Sequence, residues 1–251
     1  MKKKRDPRSE SLGLYAAHPR FWGDWLWLSL TWLMSKLPFD LALRCGDGIG
    51  MLFYWLARER RHIAATNLRL CFPELSEAQR AQMLRENMRN TGRGLVETAL
   101  AWWAPDGVFE GRGRFHGWEN MERARASGRG VLMLCGHFTS LEVGGRLLTQ
   151  RMSFDPVYRP HKSPVVEYFT HEARKGRAGN AIPRDDVRGL VRALRKGNVV
   201  FYLPDQDYGR KHSVFAPFFG IQAATVTAVS RIARMSGCAV LPLFYTIRSV
   251  R

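Results

Sequence analysis

The chain has 251 residues, 45% of them hydrophobic and 12% aromatic, which suits one α/β domain with an apolar appendage and excludes a disordered chain. Its 39 Lys and Arg against 22 Asp and Glu leave a formal net charge of +17, so it is drawn to polyanions: nucleic acid, anionic lipid and acidic proteins all qualify. The cysteines Cys45, Cys71, Cys135 and Cys238 form no C-x-x-C pair and have no histidine at ligand spacing, which argues against a zinc site and favours buried, reduced thiols.

Residues 1–20 carry Lys2, Lys3, Lys4, Arg5, Arg8 and Arg20, and the run Phe21 to Phe39 that follows is apolar except for Asp24 and Lys36. That run is about the minimum for crossing a bilayer, roughly 17 to 25 residues, and its tryptophans suit an interfacial belt. A membrane-anchor helix is expected here, the alternatives being a buried core helix or one lying flat in the interface. No small-residue cleavage site follows it, so it does not read as a signal peptide. The next apolar stretch, Leu41 to Ala57, contains Arg44, Asp47 and the glycine run Gly46-Asp47-Gly48-Ile49-Gly50, and it ends at Arg58-Glu59-Arg60-Arg61-His62. With no strand before it, the glycine run reads as helix packing or a kink rather than a cofactor loop. Basic residues on both flanks leave the orientation of a single crossing open.

From Ile63 to Trp103 the pattern is helical, with Ser76-Glu77-Ala78-Gln79 as a capping box. After Pro105 short apolar runs alternate with Gly, Pro and Asp, the texture of an α/β fold with a mostly parallel central sheet flanked by helices. Predicted strands are Val131 to Cys135, Phe154 to Tyr158, Val199 to Leu203 and Ala239 to Tyr245; predicted helices lie near Ser140 to Arg151, Pro164 to Arg174, Val187 to Lys196 and Thr225 to Met235. The division expected is residues 1–57 as basic N-terminus and anchor and residues 58–251 as the catalytic domain.

Three polar clusters each follow an apolar run: Gly136-His137, Arg159-Pro160-His161-Lys162 and Asp205-Gln206-Asp207. Ligands of open α/β sheets bind at the carboxyl ends of strands, so these clusters are candidates for one crevice. The sharpest is Gly136-His137-Phe138-Thr139-Ser140-Leu141-Glu142. Five residues apart, His137 and Glu142 would lie about 140° apart on a continuous helix, but they can meet if His137 sits on a loop and Glu142 in the first helical turn. Glu142 would then accept from one ring nitrogen and leave the other free to take a proton from an alcohol. The competing reading is structural: Thr139-Ser140-Leu141-Glu142 is itself a capping-box pattern. No G-x-S-x-G, H-E-x-x-H or P-loop is present, which removes the usual support for serine hydrolase, zincin and nucleotide hydrolase readings.

The segments HPRFWGDWL, NLRLCFPELS, GHFTSLE, VYRP, LPDQDYGRKHSVFAPFFG and ARMSGC together resemble the lipid A late acyltransferases of Gram-negative bacteria, within the wider lysophospholipid-type group that uses an H-x4-D/E pair. The resemblance implies a glycerol-3-phosphate acyltransferase-like fold. It also implies transfer of an acyl chain from acyl-acyl carrier protein to a hydroxyl of a Kdo-bearing lipid A precursor, without metal or other cofactor. The catalytic residues would be His137 as base and Glu142 as its partner. Arg159 is expected at a developing oxyanion or a phosphate, Arg177 and Asn180 at substrate phosphates, and Asp205 and Asp207 at a tight turn or paired with one of these arginines; His161, His171 and His212 are expected to be exposed. Trp102, Trp103 and the N-terminal apolar segments would touch membrane, and an apolar groove would hold the acyl chain. The implied setting is the bacterial inner membrane, with the catalytic domain on the cytoplasmic face, anionic lipids as partners and no nucleic acid. Relatives of this kind continue into a basic-aromatic C-terminal segment, whereas this chain stops at Arg251, so the catalytic domain is expected to be C-terminally truncated.

Overall fold

The computed structural model describes residues 18–174, 176–206, 209 and 213–245. In chain order the helices and strands are α1 (Trp22–Met34), α2 (Phe39–Leu56), α3 (Arg58–Cys71), α4 (Glu77–Trp103), α5 (Trp118–Ala126), β1 (Val131–Leu134), α6 (Leu141–Thr149), β2 (Asp155–Tyr158), α7 (Pro164–Arg174), β3 (Ile182–Pro183), α8 (Val187–Arg195), β4 (Val199–Tyr202), β5 (Ser213–Phe218), β6 (Ile221–Val226), α9 (Ala228–Ser236) and β7 (Ala239–Pro242). Five strands form one sheet in the order β3-β2-β4-β1-β7, every neighbouring pair parallel, and β5 and β6 form a separate antiparallel hairpin.

Strand alternation explains why the sheet is covered on both faces. Val131, Met133, Val199 and Phe201 point into a cluster with Met121 of α5 and Leu148 of α6. Leu132 and Val200, one residue out of phase, pack with Leu190 and Leu194 of α8, Ile232 of α9 and Cys238. The central strands are therefore apolar at every position, as a doubly covered sheet requires.

Helix α4 is the spine of the helical half. Its start follows the capping-box reading: Ser76 Oγ accepts from the Gln79 amide at 3.3 Å, and Gln79 Oε1 accepts from the Ser76 amide at 2.8 Å. Helix α2 crosses α4 where Gly46 and Gly50 face Gly92. A Cβ on Gly92 would stand 2.1 Å from the Gly46 carbonyl oxygen and 2.3 Å from the Gly50 nitrogen, so the two backbones touch only because side chains are missing. Beside that contact Arg93 Nε and Nη2 grip both oxygens of Asp47 at 2.6 and 2.8 Å, which raises the Arg93 pKa. The glycine run is helix packing, as its sequence context suggests.

The membrane-anchor expectation is corrected. The apolar run does not make one long helix, because the chain turns after Met34 and Pro38 caps the next helix. Helix α1 has 13 residues, about 20 Å at 1.5 Å per residue against a hydrocarbon core of roughly 30 Å. No helix among the described residues is long and apolar enough to cross a membrane. Instead Leu28 of α1 is buried against Ala101, Trp102 and Val165, and Trp25 packs edge-on to Phe169. Trp22, Leu26, Leu30, Trp32 and Leu33 of the same helix remain exposed.

The last predicted helix is also corrected. Thr225 and Val226 belong to β6, and α9 begins at Ala228. The hairpin turns at Phe219 and Gly220, with φ of 50° and 75°, both in the left-handed region. Such turns are normally announced by Asn-Gly or Asp-Gly, and a phenylalanine in that conformation gives no sequence signal.

Candidate active site

Register places the site. In the parallel β1–β4 pair Leu134 lies opposite Tyr202, and the Cys135 amide donates to the Tyr202 carbonyl at 3.0 Å. His137 stands three residues beyond Leu134 and Asp205 three beyond Tyr202, so the two strands carry them the same number of residues past their carboxyl ends. There the Asp205 carboxylate takes the His137 backbone N–H at 2.7 Å with one oxygen and lies 2.5 Å from His137 Nδ1 with the other. Burial alone would push the Asp205 carboxyl up, but the backbone N–H and the ring of His137 outweigh it and hold the group below its ordinary range. The other ring nitrogen, Nε2, is 3.3 Å from the Gln206 amide nitrogen. A neutral imidazole with its hydrogen on Nδ1 satisfies both contacts and leaves Nε2 as the acceptor.

His137 therefore occupies the loop expected of it, and Glu142 the first turn of α6, but they are not paired with each other. Glu142 Oε2 accepts from Trp102 Nε1 at 3.2 Å, and Oε1 is gripped by Arg174 Nη2 at the end of α7. The capping-box alternative fails as well, because Ser140 caps α6 without a side-chain hydrogen bond. The expected His137–Glu142 contact is replaced by two separate pairs, His137–Asp205 and Glu142–Arg174, since the β1–β4 register delivers a different carboxylate to the ring.

That cavity, about 250 Å³, is lined by His137, Glu142, Arg159, His161, Arg174 and Arg177 among its polar groups, with Leu141, Phe154, Phe201 and Leu203 as apolar wall. Arg159 is exposed at its rim. Arg177 donates from Nη1 to the Ala173 carbonyl at 2.7 Å, which fixes its head beside α7. Asn180 does not reach the cavity: it is exposed, and its backbone amide donates to Asp155 Oδ1 at 2.8 Å. The expected substrate contact at Asn180 is thus replaced by a turn that ties the segment before β3 to β2. Asp205 is corrected from turn residue or arginine partner to partner of His137. Asp207 and His212 lie outside the described residues.

Arg174, which in sequence marks only the end of a helix, is missed by the sequence reading, and Gln206 is found there only as part of the Asp205-Gln206-Asp207 cluster. Trp102 is corrected from membrane contact to an internal rivet, since it is buried and donates to Glu142. Trp103 is also turned inward, its Nε1 donating to Thr31 Oγ1 at 3.1 Å. Arg146, which also lines the cavity and is expected by no motif, is buried with Nη1 and Nη2 on the Ala101 and Ala104 carbonyls and Nη2 on Asp106. Burial pushes the Cys135 thiol up to about 11, which leaves it protonated at neutral pH.

The arrangement provides a poised proton acceptor beside an arginine-rich recess with an apolar wall. A family profile described as bacterial lipid A biosynthesis acyltransferase matches residues 14–249. The lauroyltransferase of lipid A biosynthesis in Escherichia coli is 38% identical over 226 residues, covering 90% of this chain and 74% of that protein. The corresponding palmitoleoyltransferase of the same organism is 40% identical over 225 residues, 89% of this chain and 74% of its own length, and the myristoyltransferase 29% over 230 residues, 90% and 71%. With the match running through GHFTSLE and LPDQD, the segments that hold the His137–Asp205 pair, this chain belongs to the bacterial lipid A biosynthesis acyltransferases.

Proposed function

We propose that the protein transfers a fatty acyl chain from acyl-acyl carrier protein to a hydroxyl of a Kdo-bearing lipid A precursor, working at the cytoplasmic face of the inner membrane. The observation that carries this reading is the His137–Asp205 pair beside a cavity whose lining includes Arg159, Arg174 and Arg177. His137 Nε2 takes the proton of the acceptor hydroxyl as its oxygen attacks the thioester carbonyl. The C–O bond forms, the C–S bond breaks, and the imidazolium returns the proton to the departing carrier-protein thiolate. Asp205 holds the ring tautomer and stabilises the imidazolium. General base catalysis of this kind contributes about 10² to 10⁴-fold.

Arg159 at the rim meets the developing oxyanion or a substrate phosphate, where a guanidinium fork is suited to oxygen anions. Glu142 acts at one remove from the ring: it aims Arg174 across the cavity, while Arg177 supplies a further cation. The cavity is smaller than the roughly 300 to 1,000 Å³ of pockets that enclose a whole drug-sized ligand, so it takes the reacting ends and leaves most of both lipid chains outside. Positive charge serves the two anionic substrates and the anionic lipids around them rather than nucleic acid, for which no reader motif is present.

The test is mass spectrometry of the lipid product. Purified protein is supplied with acyl-acyl carrier protein or acyl-coenzyme A, and with a Kdo-bearing precursor or a lysophospholipid. One added acyl group on the Kdo-bearing lipid, dependent on the carrier protein, is expected. Acylation of the lysophospholipid alone would overturn the acceptor, and equal use of coenzyme A would overturn the donor.

A further inference from the structure

A second concave site lies away from the cleft, at the corner between α2 and α3. It is an open groove lined by Tyr54, Trp55, Arg58, Arg61, His62, Ala65 and Leu84. Residues 58, 61, 62 and 65 are spaced i, i+3, i+4, i+7, so α3 turns one face of two arginines and a histidine into the groove. The groove is built rather than incidental. Arg61 donates from Nη1 to the Tyr54 carbonyl at 2.8 Å, its guanidinium lies 5.0 Å from the Tyr54 ring centroid, and Tyr54 stands edge-on to Trp55 at 5.3 Å. That single bond leaves the rest of the Arg61 fork open, and no carboxylate among the described residues pairs with Arg58 or Arg61.

What borders the groove decides the occupant. Leu52, Trp55 and Leu56 at the end of α2 are 56%, 65% and 70% exposed, so arginines without a carboxylate partner among the described residues and exposed apolar side chains share one edge. An acidic protein would satisfy the arginines but would cover the bare leucines only with an apolar patch of its own matched beside its carboxylates. A lipid surface satisfies both: apolar side chains enter the acyl boundary, an indole sits at headgroup level, and guanidinium groups take phosphate oxygens.

We propose that this groove binds the phosphate headgroup of an anionic phospholipid, seating the α2–α3 corner in the bilayer surface. It names a lipid contact for the membrane setting proposed above, and its test does not depend on catalysis. Flotation of the full chain with vesicles of phosphatidylglycerol and phosphatidylethanolamine, against vesicles of phosphatidylcholine, measures partitioning. Each basic residue near an anionic surface is worth about 1 kcal/mol, or about 5-fold. The double variant Arg58→Gln/Arg61→Gln is expected to lose about 30-fold in partitioning to phosphatidylglycerol vesicles. Its binding to phosphatidylcholine stays as in wild type, whereas Trp55→Ala weakens both. Arg58→Gln alone, at an exposed side chain without a partner among the described residues, is expected to lose about 5-fold and guards against a folding defect in the double variant.

The control Arg188→Gln/Arg192→Gln removes the same charge from an exposed face of α8 and is expected to retain most of the affinity. Equal losses in the two double variants would reduce the effect to diffuse charge and overturn the proposal. So would unchanged vesicle binding with weakened binding of acidic carrier protein. Acyl transfer to acceptor dispersed in detergent is read in parallel: its absence in wild type counts against the proposed function, not against the groove.

Discussion

At the crossing of α2 and α4 the chain is held by what it lacks: Gly46, Gly50 and Gly92 let two backbones meet, and one nearby ion pair, Asp47–Arg93, fixes the register. At the ends of β1 and β4 the chain is held by what it carries: a histidine and an aspartate 68 positions apart share a hydrogen bond because two parallel strands stop level with each other. The first region tolerates no added atom but does no chemistry. The second is open and about two-fifths exposed at both side chains, so it can change its side chains without losing the fold. Stability and reactivity are thus lodged in different places, and substitutions should separate them.

The largest separation is expected at the ring. His137→Ala should lower acyl transfer by about 10² to 10⁴-fold while leaving the thermal unfolding midpoint, followed by circular dichroism, close to wild type. Gly92→Ala should do the reverse. Its Cβ would meet backbone atoms of Gly46 and Gly50 that cannot swing aside, so a loss of about 1 to 3 kcal/mol or more is expected in denaturant unfolding, with activity per folded molecule largely kept.

The smallest effect is expected at Glu97, which is 5% exposed on α4 and has Oε2 without a partner among the described residues. Burial raises its pKa against the opposing influence of Ser140 and Arg93. A carboxyl with a raised folded pKa is penalised once pH rises above its unfolded value. Glu97→Gln should therefore raise the unfolding midpoint modestly at neutral pH, and the gain should vanish as pH falls below the ordinary carboxylate range. A constant gain across pH would contradict the burial argument.

Much of this was legible in the residues, and the failures have physical reasons. Ser76 to Gln79 announced the start of α4, and apolar runs bounded by Gly and Asp marked β1, β2 and β4, because local pattern decides local structure. Pro164 to Arg174 ran as α7 from end to end. Helix α5 passed unseen because its sequence is charged and only Met121 is buried. The hairpin hid behind Phe219. At the site, GHFTSLE located the right loop and helix, but spacing within one segment cannot reveal which carboxylate a neighbouring strand delivers. Sequence alone therefore puts Asp205 at a tight turn or beside an arginine, and pairs Glu142 with the ring that Asp205 holds. Composition likewise marked residues 21 to 39 as apolar without revealing that Pro38 divides the run and that Leu28 and Trp25 turn inward.

The central claim is that Asp205 keeps His137 ready to accept a proton. Because its folded pKa is lowered, the ionised Asp205 contributes fully above the unfolded carboxylate value of about 3.9 and is lost only as pH falls through the lower folded value, so the pair is intact across the working range. The most direct measurement is kcat for acyl transfer against pH in Asp205→Asn, with folding verified by circular dichroism. A fall on the order of 10² to 10⁴-fold across neutral pH is predicted, as the ring loses the acceptor that fixes its tautomer. Near wild-type turnover with an unchanged pH profile would contradict the account.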